Sequence, residues 1–361
     1  MDENVIILGA GASADSGAPL MNNFIDKAED LLSNGLDKRS DRETKNQFVK
    51  VFELLADLQS VHSKARMDLN NIETVFGAIE MAQIIRRLGN IPYEEIAGYR
   101  EAIVNLIIET IEHSMDFRHE NTLVHAPDSY ANLMSFISGG DFKNNTSIIT
   151  FNYDVGIDTA ISRAGYSVRY GIEEFEEKLN DFHLFKLHGS INWAISENDN
   201  KVYPYYPHWY LKDLTVTHDL RMRGTCKLYV SKNLHKINEH NPGTYTLKKE
   251  SLIVPPTWNK NSYQGIISKV WEEAAEKLST AKRIYVFGYS LPETDSFFRY
   301  LFALGTLSST RIRRIIVVNP EPEGGDVDRR FKSLIGESIL SRYRYFAKHF
   351  NVASDILNGY S

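Results

Sequence analysis

The sequence predicts an α/β fold: a Rossmann-like, mostly parallel sheet with helices on both faces, a large helical insertion and no zinc ribbon. Three observations carry this. Short β-branched runs such as Val5-Ile6-Ile7-Leu8 are closed by turn residues. Stretches with apolar residues at helical spacing lie between several of these runs, the alternation of a parallel sheet. Polar motifs follow the runs directly, at the strand carboxyl ends where open α/β sheets bind ligands.

Val5 to Leu8 reads as the first strand, and Gly9 and Gly11 as the turn that ends it. Helical spacing then dominates. Phe24, Ala28, Leu31 and Leu32 form one apolar stripe, and Phe48, Val51, Phe52 and Leu55 a second. Asn71 is placed to cap a helix that buries Ile72, Val75, Phe76, Ile79, Ile84, Ile85 and Leu88. Ile103, Leu106, Ile107 and Ile111 make another stripe, and the polar stretch 33–40 reads as a loop. Residues 21–139 are therefore expected to form a helical insertion.

Strand-like runs resume at Ser147 to Phe151, Phe182 to Leu187, Ser251 to Val254, Arg283 to Phe287 and Arg314 to Val318. Helical faces fall between some of them, at Ile266, Ile267, Val270, Trp271 and Ala274, and at Phe297, Phe298, Leu301 and Leu304. Residues 1–20 and 140–325 are the expected α/β core. Within it, 191–250 is expected to be an irregular lobe or lid, rich in tyrosine and proline around Tyr203-Pro204-Tyr205-Tyr206-Pro207. Residues 326–361 are expected to form a helical C-terminal tail.

Composition removes several function classes. With 42% hydrophobic and 24% charged residues, the chain is neither disordered nor fibrous. A formal net charge of -6 argues against binding driven by nucleic-acid phosphates, so no direct nucleic-acid contact is expected. No apolar run reaches about 18 residues, so no membrane span is expected. The start of the chain lacks a basic flank and a small-residue cleavage site, so no signal peptide is expected. Cys226 is the lone cysteine, which excludes an intramolecular disulfide and a multi-cysteine zinc site within the chain. His113, His119 and His125 lack metal-ligand spacing, and no metal is expected. A cytoplasmic setting is the simplest one.

Three polar motifs carry the chemistry. Gly9-Ala10-Gly11-Ala12-Ser13-Ala14 fits the glycine turn that cradles a pyrophosphate. Gly9 permits the tight turn, Gly11 admits backbone amides to the phosphates, and Ala14 allows close helix packing. The standard dehydrogenase pattern also needs an acidic residue after a second strand. Here Asp26, Glu29 and Asp30 lie in a helical pattern with no strand before them. The other motifs are Thr150-Phe151-Asn152-Tyr153-Asp154 and Lys186-Leu187-His188-Gly189-Ser190. Read singly, Asn152 is also a common turn residue, His188 a satisfied turn histidine and Asp154 a helix cap.

Taken in order, the motifs resemble the sirtuin-like (SIR2-like) superfamily of NAD-consuming proteins. Gly9-Ala10-Gly11-Ala12-Ser13 with Gly17-Ala18-Pro19 looks like the family's opening cofactor loop. Phe151-Asn152-Tyr153-Asp154 looks like its asparagine-x-aspartate element, and Leu187-His188-Gly189-Ser190 like its histidine-glycine element. Gly288-Tyr289-Ser290 resembles its glycine-x-serine ribose loop, and Val317-Val318-Asn319 its late asparagine. The resemblance implies NAD as substrate, with Asn152 and His188 catalytic. It implies Gly9, Ala10, Gly11, Ala12, Ser13, Gly17, Pro19, Asp154, Gly288, Tyr289, Ser290 and Asn319 as the residues that bind it. Asp154 is left either to bind the nicotinamide amide or to brace its loop.

Three departures refine the resemblance. The four-cysteine zinc module of deacylating sirtuins is missing. Leu20-Met21-Asn22 follows Pro19 where those enzymes have Asp-Phe-Arg. The helical insertion is long. These departures look like the bacterial sirtuin-like NAD hydrolases of anti-phage defence, which act beside a HerA-type ATPase or a short Argonaute. An NAD-depleting effector of abortive infection is implied, gated by such a partner or by homo-oligomeric assembly. Two alternatives stay open: an NAD-dependent deacylase or ADP-ribosyltransferase, and a non-catalytic nucleotide-binding regulator.

Overall fold

A computed structural model describes residues 4–34, 42–60, 67–139, 142, 144–217, 223–241, 246–254, 264–293 and 295–360. Most of the loop expected at 33–40 lies outside these residues, as does the side chain of Ile266. The strands are β1 (Asn4–Leu8), β2 (Phe117–Glu120), β3 (Leu123–Val124), β4 (Thr146–Thr150), β5 (Ser167–Arg169), β6 (Asp181–Lys186) and β7 (Gly189–Ser196). They continue with β8 (Val202–Pro204), β9 (Gly224–Cys226), β10 (Leu247–Ile253), β11 (Arg283–Phe287), β12 (Arg314–Asn319) and β13 (Tyr343–Ala347). The first helices are α1 (Phe24–Ser33), α2 (Arg42–Ser60), α3 (Ile72–Ile85), α4 (Tyr93–Ser114), α5 (Asp128–Ile137) and α6 (Gly156–Arg163). The rest are α7 (Pro207–Thr217), α8 (Ile237–His240), α9 (Gln264–Thr280), α10 (Ser296–Gly305), α11 (Asp326–Leu334) and α12 (Ala353–Gly359).

The main sheet has seven strands in the order β13-β12-β11-β1-β4-β6-β5, and its pairings are parallel. This is the expected Rossmann-like α/β class. β1 is central and buried along its whole length, because helices cover both faces; hence its unbroken apolar run. Apolar residues from α5, α6, α9, α10, α11 and α12 share its core, among them Leu133, Ile157, Val270, Phe298, Phe331 and Leu357. The chain builds β4 and β6 on one side of β1, then returns to add β11, β12 and β13 on the other. The order of strands therefore reverses beside β1, the kind of crevice in which such sheets bind ligands.

Helices α1 to α4 form a second core, with Phe48, Val51, Phe76, Ile103 and Ile107 buried. Asn71 caps α3, its Oδ1 accepting from the amides of Glu73 at 2.9 Å and Thr74 at 3.4 Å. Ile84 and Ile85, expected on the buried side of this helix, are 47% and 60% exposed. The helix stops there in a left-handed turn at Arg86 (φ 54°), so its last residues leave the packed face.

Three further expectations meet a different structure. Ser251 to Ile253 is a strand, but it belongs to β10, which pairs antiparallel with β7 in a separate sheet ordered β10-β7-β8. Residues 191–250 thus carry most of a small antiparallel sheet besides α7 and α8, where an irregular lobe was expected. The tail 326–361 is not wholly helical: β13 runs parallel to β12 as the edge strand of the main sheet. Arg344 points to solvent there while Tyr343 and Tyr345 are buried, so β13 alternates as a one-sided strand does. Among the described residues, no helix is long and apolar enough to cross a membrane.

Candidate functional site

Register places the motifs side by side. Leu8 on β1 pairs with Thr150 on β4 and with Phe287 on β11. Thr150 pairs in turn with Lys186 on β6, and Phe287 with Val318 on β12. One row therefore crosses five adjacent strands at their carboxyl ends. Immediately beyond it come Gly9, Phe151-Asn152, Leu187-His188, Gly288-Tyr289 and Asn319. Elements separated by more than 300 residues in sequence converge here because parallel strands share one direction.

The glycines are required by contact. A Cβ on Gly9 would lie 2.5 Å from Tyr289 Cα, and one on Gly11 2.9 Å from Gly288 Cα. Gly288 adopts a left-handed φ of 63°, and its own Cβ would stand 2.3 Å from the Ala12 nitrogen. The two turns are bonded as well, Gly11 N–H donating to Gly288 O at 2.9 Å. Ala10 is half-buried and Ala12 fully buried. Gly17 (φ 89°) faces Ser114 O at the end of α4, and its carbonyl accepts from Lys27 Nζ at 2.6 Å. Gly17 and the buried Pro19 thus lie toward the helical layer.

Asn152 is 7% exposed and its carboxamide is anchored. Nδ2 donates to Gly9 O and Ser13 Oγ, both at 2.9 Å, with Tyr130 Oη at 3.3 Å. A backbone carbonyl can only accept, so Gly9 O fixes which end of the amide is nitrogen. Oδ1 is thereby turned away from Gly9.

Ser13 Oγ donates to Asp154 Oδ2 at 2.6 Å, and Asp154 Oδ1 accepts from Gly156 N–H at 2.8 Å. Asp154 O accepts from Lys186 Nζ at 2.5 Å. Burial raises the Asp154 carboxyl above its ordinary range, while Lys186, Ser13 and the Gly156 amide pull it back. Of the two roles left open for Asp154, this geometry supports the brace: both carboxylate oxygens are engaged within the protein.

His188 sits at the corner where β6 hands over to β7, and is 3% exposed. Its ring meets Phe151 edge-on at 5.2 Å, and Val254 N–H donates to its carbonyl at 2.9 Å. Asp295 Oδ1 faces its Nε2 at 3.7 Å. Asp295 Oδ2 accepts from Tyr289 Oη at 2.7 Å, and the Tyr289 ring stacks on Phe151 at 4.1 Å. Burial, with Asp295 beside it, holds the Tyr289 phenol well above its ordinary range, so it stays a donor. Ser290 is half-buried, its carbonyl accepting from Arg330 Nε at 3.0 Å. Asn319 Oδ1 accepts from Glu321 N–H at 3.1 Å.

Sequence reasoning missed Tyr130, Asp295 and the buried pair Lys186–Asp158 (3.0 Å, both fully inaccessible). Tyr170, with Oη donating to Asp158 Oδ1 at 2.6 Å, extends that pair to Asn192. One signal for Tyr130 was present: it heads the buried stripe Leu133, Met134 and Ile137, and a tyrosine there needs a partner for its hydroxyl.

A polar cleft of about 410 Å³ lies elsewhere, between α2, α4 and β10. Five glutamates line it, Glu43 and Glu101 among them, against Lys248 and Lys249. That balance repels a diphosphate, so the strand-end row is the better site for a dinucleotide. Among the described residues, no group of three or more His, Cys, Asp or Glu side chains is placed to hold a metal ion.

No family model matches the chain, and no curated protein matches it. Solved structures of Sir2 proteins do. One is Sir2 with an inhibitor, 2'-O-acetyl-ADP-ribose and a deacetylated peptide, at 13% identity and TM-score 0.38, covering 99% of this chain and 95% of that one. Another is a mutant Sir2 homologue with 2'-O-acetyl ADP ribose, at 16% identity and TM-score 0.39, covering 98% and 90%. A third is a Sir2 homologue–NAD complex, at 15% identity and TM-score 0.39, covering 98% and 87%.

Proposed function

We propose that this chain hydrolyses NAD, cleaving the nicotinamide–ribose bond to give nicotinamide and ADP-ribose. The observation that carries the reading is the single register row, which sets the glycine turn, Asn152, His188, the Gly288 turn and Asn319 along one sheet end. The glycine turn and the Gly288 turn meet at the strand reversal, where the pyrophosphate and adenosine ribose are received.

The chemistry asks little of the leaving group. Nicotinamide is bound to the sugar as a cation, so it takes the bond's electron pair and departs neutral. Positive charge builds on the ribose, and water attacks the anomeric carbon. Asn152 Oδ1, an acceptor held outward by the bonds on Nδ2, orients that water or a ribose hydroxyl. His188 takes the water's proton as the new C–O bond forms. Asp295, whose Oδ1 lies 3.7 Å from Nε2, stabilises the imidazolium that forms. Ser13 and Asp154 hold Asn152 in place.

Asn152 and His188 are almost inaccessible, so a dinucleotide reaches them only when the surrounding walls part. That closure supports gating by a partner or by assembly. The anti-phage role, with a HerA-type ATPase or short Argonaute as partner, belongs to the same proposal. The test is nicotinamide release from NAD by the protein, alone and in complex. Asn152→Ala and His188→Ala are expected to lower it at least ~100-fold while the fold persists. Undiminished release from both variants refutes the reading.

A further inference from the structure

We infer that Tyr130 is a positioning residue for this site: through Ser13 it holds the Asn152 carboxamide in the orientation that Gly9 O selects, with the oxygen toward the ligand. The inference rests on the NAD-hydrolase reading for its kinetic consequence, and on geometry alone for its structural one.

Counting hydrogens fixes the direction of each bond. Ser13 Oγ has a single hydrogen, which it gives to Asp154 Oδ2 at 2.6 Å. The contact of 2.7 Å between Ser13 Oγ and Tyr130 Oη must then run the other way, with the phenol donating. Asn152 Nδ2 has two hydrogens; its 2.9 Å partners Gly9 O and the same Ser13 Oγ take both, which leaves none for Tyr130 Oη at 3.3 Å. Ser13 thus donates once and accepts twice, which is the full capacity of a hydroxyl. With both lone pairs occupied and its proton committed, it cannot rotate to donate toward Asn152. A flipped carboxamide would set Oδ1 against Gly9 O and against a Ser13 oxygen with no hydrogen to offer. The nitrogen is therefore held inward and the oxygen outward.

The ring cannot drift from this task. Gly156 packs on one side so closely that an added Cβ would lie 2.8 Å from Tyr130 Cε2. Phe350, just after β13, packs at 5.2 Å between ring centroids. Tyr130 is fully buried, and it comes from α5, outside every motif of the site. It touches no reacting atom and acts through Ser13.

Tyr130→Phe removes the donor and keeps the ring. Nicotinamide release is measured for Tyr130→Phe, Ser13→Ala and the double variant. Hydrogen exchange of the Asn152 side-chain amide is followed by NMR in Tyr130→Phe and the unaltered protein. The expected result is a fall in kcat of about tenfold in Tyr130→Phe with KM changed less than about twofold. The double variant should be no slower than Ser13→Ala, since Tyr130 works through that hydroxyl. Asn152 side-chain exchange should quicken about tenfold. A Tyr130→Phe variant with unchanged kcat overturns the inference, as does a loss that multiplies fully with that of Ser13→Ala. An unaltered protein that never releases nicotinamide sinks the hydrolase reading instead. The amide exchange then decides for Tyr130 by itself, unchanged protection overturning it.

Discussion

Glu112 on α4 is a carboxyl buried without a full counter-charge. Burial raises it to about 8; the Ser231 amide and hydroxyl and Lys232 pull it down, while neighbouring Glu109 pushes it up. The Ser231 bonds are 2.7 and 2.8 Å long. The sign of its effect on stability follows from linkage. An unfolded glutamate titrates near 4.5, and burial pushes the folded group up to about 8. The folded state holds the extra proton, so its contribution is complete below the unfolded value and is lost as pH rises through the folded one. Stability should therefore decline between about pH 5 and about pH 8, by an order of a few kcal/mol at most. Glu112→Gln keeps an acceptor for Ser231 and does not ionise. Urea unfolding across that window should show a flatter curve for the variant and a gain over the unaltered protein at the alkaline end. Parallel curves would dismiss Glu112 as the cause.

Between β6 and β7 the chain leaves the parallel sheet and enters the antiparallel one in a single step, and Gly189 makes that possible. Its φ is 80°, and a Cβ would stand 2.1 Å from Leu252 O on β10. Both objections are to backbone, so neither relaxes by moving a side chain. Gly189→Ala should cost roughly 3 kcal/mol or more in urea unfolding, and should displace His188, the residue before it. A loss under about 1 kcal/mol would mean the corner yields freely. Elements of this kind also mark what could be read in advance. β1, β11 and β12 are buried on both faces and each carries an unbroken apolar run, β4 and β6 carry the shorter pairs Ile148-Ile149 and Leu184-Phe185, and the motifs that follow all five were legible with their order. β13 was not, because Tyr343-Arg344-Tyr345-Phe346-Ala347 is an edge strand with Arg344 exposed, and its partner β12 supplies the reason it is a strand. β10 was legible as a strand but not as a partner of β7, since pairing is a property of two segments. Tyr130 and Asp295 reach the site from 22 and 107 residues away in sequence from Asn152 and His188, and no local pattern announces a contact of that range.

On the scale of the whole molecule, the site follows a seam between two hydrophobic cores. Three of its segments begin in the sheet core and end in the other. Ala12 packs with the sheet and Ala18 with the helical layer; the same division separates Phe151 from Val155, and Leu187 from Ile191. Chain that crosses from one core to another is anchored at both ends and has polar residues between, here Ser13, Asn152, Asp154 and His188. Motion of one core against the other would open the site without unfolding either, which reconciles the burial of Asn152 and His188 with the catalytic roles proposed for them. A dinucleotide seated there should tie the two cores together. With Asn152→Ala to suppress turnover, NAD at 100 times its Kd should raise unfolding free energy by about 2.7 kcal/mol. Hydrogen exchange should slow in residues 9–17, 152–155, 188–191 and 288–290, where the ligand blocks local opening, and by about 100-fold in β1 and the middle of α4, which open only with the whole fold. Protection centred instead on the acidic cleft between α2, α4 and β10 would move the ligand, and the function with it, to another face of the molecule.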